Sequence, residues 1–171
     1  MISLPLSRPT LRPLLSLLLL TVTAGLLSAC SASYEVQTPE EMVAVEQGNH
    51  SYVAMTHDGV VVRANVYSQG DGSRDLPRGS QRFWVESARE RMRTTGGYAL
   101  LDEKEARSAN GVVGTRLEFG RDQQGVPYRY WIILFVTDDA IHVIDAGGRQ
   151  ERFDDAKDAV ERLLSSYVVL K

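Results

Sequence analysis

Cysteine occurs once, at Cys30, in a chain of 171 residues. An internal disulfide is therefore excluded, and so is a cysteine nucleophile anywhere after position 30. Histidine occurs three times, at His50, His57 and His142, and none of the spacings is that of a metal site such as His-x-x-x-His. Alternation along its strand places His142 opposite Ile141 and Val143, which predicts an exposed ring. No Gly-x-Ser-x-Gly elbow is present. Gly70-Asp71-Gly72 and Gly147-Gly148 lack the strand-turn-helix setting and the lysine of a phosphate loop, and read as turns. Asp138-Asp139 and Asp154-Asp155 supply too few oxygens for calcium, and a turn and a helix cap account for them. No catalytic residue, metal or cofactor is expected.

The N-terminal segment carries only positive charges, Arg8 and Arg12, and then an apolar run from Leu14 to Leu27. A bilayer-spanning helix needs roughly 20 apolar residues, so the run is too short to cross comfortably and has the layout of a secretory signal. The arginines are not adjacent, which favours the general secretory route over the twin-arginine one. Two small residues, Ser28 and Ala29, stand before Cys30.

Leu27-Ser28-Ala29-Cys30 resembles the lipobox of bacterial lipoproteins. The resemblance implies cleavage before Cys30, with Leu27, Ser28 and Ala29 read by the signal peptidase, and lipidation of the Cys30 thiol. It implies a mature protein held on membrane lipid by its acyl chains. Two or more chains anchor stably, at about 0.8 kcal/mol per buried methylene. Ser31 follows the cysteine, where an aspartate implies inner-membrane retention in enterobacterial lipoproteins. A Gram-negative host would then place the protein on the outer membrane, facing the periplasm.

Loss of Arg8 and Arg12 with the leader takes the 19 basic residues to 17 against 22 acidic, a formal charge of −5. Nucleic-acid binding relies on clustered cations and is not expected of such a chain. The organisation expected is a signal peptide over 1–29, a lipidated cysteine with a flexible tether over 30–49, and one domain over 50–171. Within the tether, Met42 to Val45 fits either a helical turn or an edge strand.

In the domain, Tyr52–Thr56 and Val60–Tyr67 read as strands around an Asp58-Gly59 hairpin turn. Gln69–Gly79 reads as a loop. Ser80 then caps a helix that Gly96-Gly97 ends, with Trp84, Val85, Ala88 and Met92 on its inner face. Arg82, Arg89 and Arg93 lie on its outer surface. They read as a solvated face paired with Glu86 and Glu90, or as a contact for an acidic partner or lipid headgroups.

Tyr98–Leu101, Val112–Arg121, Tyr128–Thr137 and Ile141–Asp145 read as strands, with Gly147-Gly148 closing the last. Tyr130, Ile132, Leu134 and Val136 on one side and Trp131, Ile133 and Phe135 on the other make Tyr128–Thr137 apolar on both faces, as a central covered strand requires. Asp154 reads as the cap of a final helix with a stripe of Ala156, Val160, Leu163, Leu164 and Tyr167. Val168–Leu170 either extends that helix or forms a short strand. The sum is an α+β fold: an antiparallel sheet of five to six strands with an amphipathic helix on each face.

That order, with Phe83-Trp84 on the helix and Tyr128-Arg129-Tyr130-Trp131 on the strand, resembles the Mog1/PsbP-like fold over about residues 51–171. The resemblance implies a binding or assembly factor without a catalytic centre. Cystatin-like and nuclear-transport-factor-like (NTF2-like) sheets are the alternatives. The function expected is a membrane-anchored, non-enzymatic envelope module that meets a protein partner. A small-ligand carrier with a pocket between sheet and helix is the rival, and a hydrolase using dispersed acids comes third.

Overall fold

The computed structural model describes residues 32–70 and 78–170. The lipobox residues Leu27, Ser28, Ala29 and Cys30 lie outside the described residues, as does most of the 69–79 loop. Among the described residues, no helix is long and apolar enough to cross a membrane.

Seven strands form one antiparallel sheet. In chain order they are β2 (Met42–Gln47), β3 (Ser51–Thr56), β4 (Val61–Ser68), β5 (Ala99–Arg107), β6 (Val113–Gln123), β7 (Val126–Val136) and β8 (Ala140–Arg149). They lie side by side as β2-β3-β4-β8-β7-β6-β5. A second, two-stranded sheet joins β1 (Tyr34–Glu35) to β9 (Val168–Val169). Helix α1 (Gln81–Thr94) follows β4, while α2 (Gln150–Asp155) and α3 (Lys157–Ser166) lie between β8 and β9. The sheet exceeds the expected five to six strands because β2 joins it.

The doubly apolar strand is β7, and it divides two cores. Ile132 and Leu134 pack with Leu117, Phe119, Ile141 and Val85 beneath α1. Trp131, Ile133 and Phe135 pack with Val62, Ile144, Phe153, Val160, Leu163 and Tyr167 beneath α2 and α3. A helical layer therefore lies on each side of β7, as its two-sided pattern requires.

Local signals place the turns. Gly59 has φ of 90° in the β3–β4 hairpin, and Val60 N–H donates to Thr56 Oγ1 at 3.0 Å. Gln124 and Gly125 both take positive φ, 56° and 79°, the two-residue loop whose twist matches paired strands. Ser80 caps α1 by accepting from Phe83 N–H at 3.2 Å.

Several expectations are corrected. The segment read as a tether is largely part of the fold. Tyr34 is 4% exposed, pairs with Val169 and stacks on Tyr167 at 5.7 Å between ring centroids. Its hydroxyl lies 2.8 and 2.6 Å from the Gly48 and Ser51 carbonyls, which share its one proton. Met42–Val45 is an edge strand paired with β3.

Gly147 and Gly148 lie inside β8, where they do not end it. A Cβ at Gly147 would stand 2.5 Å from Tyr130 Cδ2, so glycine leaves the space that ring occupies. Asp154 caps nothing: it lies within α2, exposed. Ala156 ends α2 and opens α3, so that Phe153 reaches Trp131 at 4.9 Å between centroids while Val160 and Leu163 remain in the core.

Candidate interaction surfaces

Helix α1 is held to the sheet by glutamines as well as by its apolar face. Gln81 Nε2 donates to the Leu134 carbonyl at 3.0 Å, and Val136 N–H donates to Gln81 Oε1 at 3.1 Å. Gln69, 7% exposed, accepts from Gly79 N–H at 3.0 Å and donates to the Thr137 carbonyl. These two side chains satisfy backbone groups that the ends of β7 and α1 leave over. Nothing in the sequence marks them, because a lone glutamine before a helix has no periodic signature.

The arginines named from the sequence fall along one outward stripe of α1. Arg89 donates to Glu86 at 2.7 Å and also to Glu103 of β5. Arg93 pairs with Glu90 at 2.9 Å. Arg82 is exposed. For Arg89 and Arg93 the helix supplies local carboxylate partners, which leaves a surface of alternating sign.

The histidines are far apart in role. His50 Nδ1 lies 2.7 Å from Ser33 Oγ, and His57 is exposed in a turn. Ser33 is 8% exposed, and its carbonyl accepts from Leu170 N–H at 3.0 Å, so the contact ties down the start of β1. Contrary to expectation, His142 is fully buried. Its Nδ1 lies 2.9 Å from the Tyr167 hydroxyl, and burial pushes its pKa down to about 4. Strand β8 is covered on both faces, Ile141 lying in the core under α1 and His142 on the side of Tyr167 beneath α2 and α3, so alternation does not bring its ring to solvent. Among the described residues, no group of three or more His, Cys, Asp or Glu is placed to hold a metal ion.

Under α3 the sheet carries a polar seam. Arg116 pairs bidentately with Glu161 at 2.8 and 2.9 Å, meets Glu118 at 2.9 Å and lies 4.3 Å over the Trp131 ring. Lys104 reaches Glu118 at 2.6 Å. Beside this seam opens a shallow cleft of about 230 Å³ lined by Arg116, Ile133, Phe135, Glu161 and Leu164. It corresponds to the place named for a carrier's pocket, and its cations and carboxylates already neutralise one another.

The other sheet face is only half covered. Helix α1 packs on β5, β6 and β7, and among the described residues no helix lies on the same side of β2, β3 and β4. There Val43, Met55 and Val61 lie in one row across three strands, with Val43 and Met55 66% and 38% exposed. The covered and open halves meet at Asp145, which accepts from the Tyr130 hydroxyl at 2.7 Å and pairs with Arg63 at 3.3 Å.

Solved structures share this architecture. LpqN of Mycobacterium tuberculosis, described as involved in cell envelope biogenesis, superposes with a TM-score of 0.58 at 13% identity, over 81% of this chain and 83% of its own. The cyanobacterial PsbP of Synechocystis sp. PCC 6803 gives 0.51 at 14% identity, over 81% and 87%. The fold is PsbP-like. A Pseudomonas aeruginosa protein, PA94, gives 0.50 at 7% identity over 77% and 98%. No family model and no curated protein matches the sequence. At these identities the likeness to PsbP is one of fold, and the surfaces above belong to this chain.

Proposed function

We propose that this chain is a lipid-anchored envelope module whose PsbP-like domain binds another protein without catalysing a reaction. The observation that carries the reading is the open half-face of β2–β4. Exposed apolar rows on an otherwise well-packed sheet mark association surfaces. The cleft beside the polar seam is small, about 230 Å³, and its charged walls are already paired, which supports binding over ligand carriage; a carrier site would bury most of its ligand. The envelope role of LpqN is consistent with the same setting.

The lipobox over Leu27–Cys30 supports an acyl anchor on Cys30, and Ser31 supports delivery to the outer membrane of a Gram-negative host. Anchoring concentrates the domain beside envelope partners. Cys30→Ala should abolish labelling by a clickable fatty acid; labelling that persists removes the anchor from the proposal. Crosslinking in intact membranes followed by purification tests the binding role. An envelope protein enriched over an unrelated lipoprotein control is expected, and enrichment of none overturns the reading.

A further inference from the structure

Among the described residues the sheet has two edges of different make: β5 exposes Leu100 and Leu101 at its start, 39% and 52%, and is charged from there on, whereas β2 is mostly apolar. Strand β5 presents Asp102, Glu103, Lys104, Glu105 and Arg107, all exposed. Such mixed charge keeps an edge from pairing with other chains. Strand β2 exposes Val43, Ala44 and Val45, with Val45 57% exposed, and holds no lysine, arginine or proline. Among the described residues its guards are the single carboxylate of Glu46 and a register shift between Ala44 and Glu46, which twists the strand locally. The edge continues without a break into the Val43–Met55–Val61 row on the open face.

Charge within the chain segment that forms this edge has one sign. From Ser31 to Val62 the chain contains five acids, Glu35, Glu40, Glu41, Glu46 and Asp58, and no lysine or arginine. Glu41 is paired with Arg162 of α3 at 2.5 Å, and Asp58 accepts from Thr56. Glu35, Glu40 and Glu46 remain exposed on β1, the approach to β2, and β2 itself.

We infer that β2 receives an extended segment of a partner protein, apolar where it meets Val43 and Met55 and carrying lysine or arginine at its ends. This rests on the protein-binding role proposed above and names its surface. Strand addition draws affinity from main-chain hydrogen bonds and selectivity from alternate side chains, and the surrounding carboxylates select cationic flanks. A second copy is the wrong occupant. Pairing two β2 edges would set one acidic border against another, and like charges across a strand pair oppose association.

The test uses the full-length protein extracted in detergent micelles. The probes are two labelled peptides of about ten residues with alternating Val-Thr cores, one ended by lysine pairs and one by glutamate pairs. Fluorescence anisotropy should show saturable binding of the lysine-ended peptide, about tenfold or more tighter than the other. Val43→Lys combined with Val45→Lys should weaken it by about tenfold or more. Glu40→Lys combined with Glu46→Lys should reverse the preference between the peptides. Glu105→Lys on β5 should leave binding unchanged.

Equal affinity for both peptides overturns the inference, as does binding indifferent to the β2 changes. Self-association that the two valine changes disperse overturns it in favour of a second copy. The charge swap needs neither valine altered, so a folding defect in the valine variant leaves the test intact. A partner captured by membrane crosslinking alongside a failed peptide test leaves the binding role standing and removes only this surface.

Discussion

His142 sits where protonation is most costly. Its pKa falls from 6.5 to about 4 through burial, so the folded protein binds fewer protons than the unfolded chain between those values. The sign follows directly: this contribution to stability is complete above about pH 6.5 and is lost as pH falls toward 4. Between pH 7.5 and 4.5 the loss should be about 2–3 kcal/mol. His142→Gln keeps a partner for the Tyr167 hydroxyl and cannot titrate. Urea midpoints should therefore drop less for the variant over that range, and parallel drops would contradict the assignment. At Gly147 the expectation is steric. Alanine there pushes the Tyr130 ring off Asp145 and should cost about 1–3 kcal/mol, read as a lower denaturation midpoint.

Elements with a local cause were legible in the sequence. Ser80 and Gly96-Gly97 bracket α1, Asp58-Gly59 turns its hairpin, and the two-sided strand around Trp131 lies between two cores, as its pattern demanded. What escaped depends on distant partners. Tyr34 looks isolated among polar residues until Tyr167 and Val169 stand beside it, so β1 read as tether. Gly147-Gly148 read as a strand end because the need for glycine comes from Tyr130 on β7. The buried His142 and the open half-face share a single reason, that coverage of a strand is decided by which helix lies over it. Gln81 belongs to the same group. Gln81→Leu should cost about 1–3 kcal/mol by leaving backbone groups of Leu134 and Val136 without partners, whereas Ser80→Ala should cost about 1 kcal/mol through the lost cap. Chemical denaturation separates the two, and a larger loss for Ser80→Ala would invert the account of what holds α1.

For the whole molecule, the pair β1–β9 ties the start of the described chain to its end. Tyr34→Ala removes one ring of a stacked pair and a hydroxyl shared between two carbonyls, and should cost about 3–5 kcal/mol. Thermal melting checks it, and a change below 1 kcal/mol would return the segment to the status of a tether. Coverage shapes the molecule as well. One end of the sheet is sheltered by α1 and by charge along β5, while the other, around β2, is apolar, acidic and open.

The early start of β1 has a mechanical consequence. Cys30 precedes Ser33 by three residues, a reach of roughly 10 Å when fully extended. A domain lipidated there works against the bilayer surface, within less than its own width, and cannot swing out to search for a partner. Were Cys30 lipidated as proposed, a pull exerted on the domain would load Tyr34 and its stack on Tyr167 first. Under that proposal the first strand would be the shackle between domain and membrane, closed by the pairs Tyr34–Val169 and Glu35–Val168.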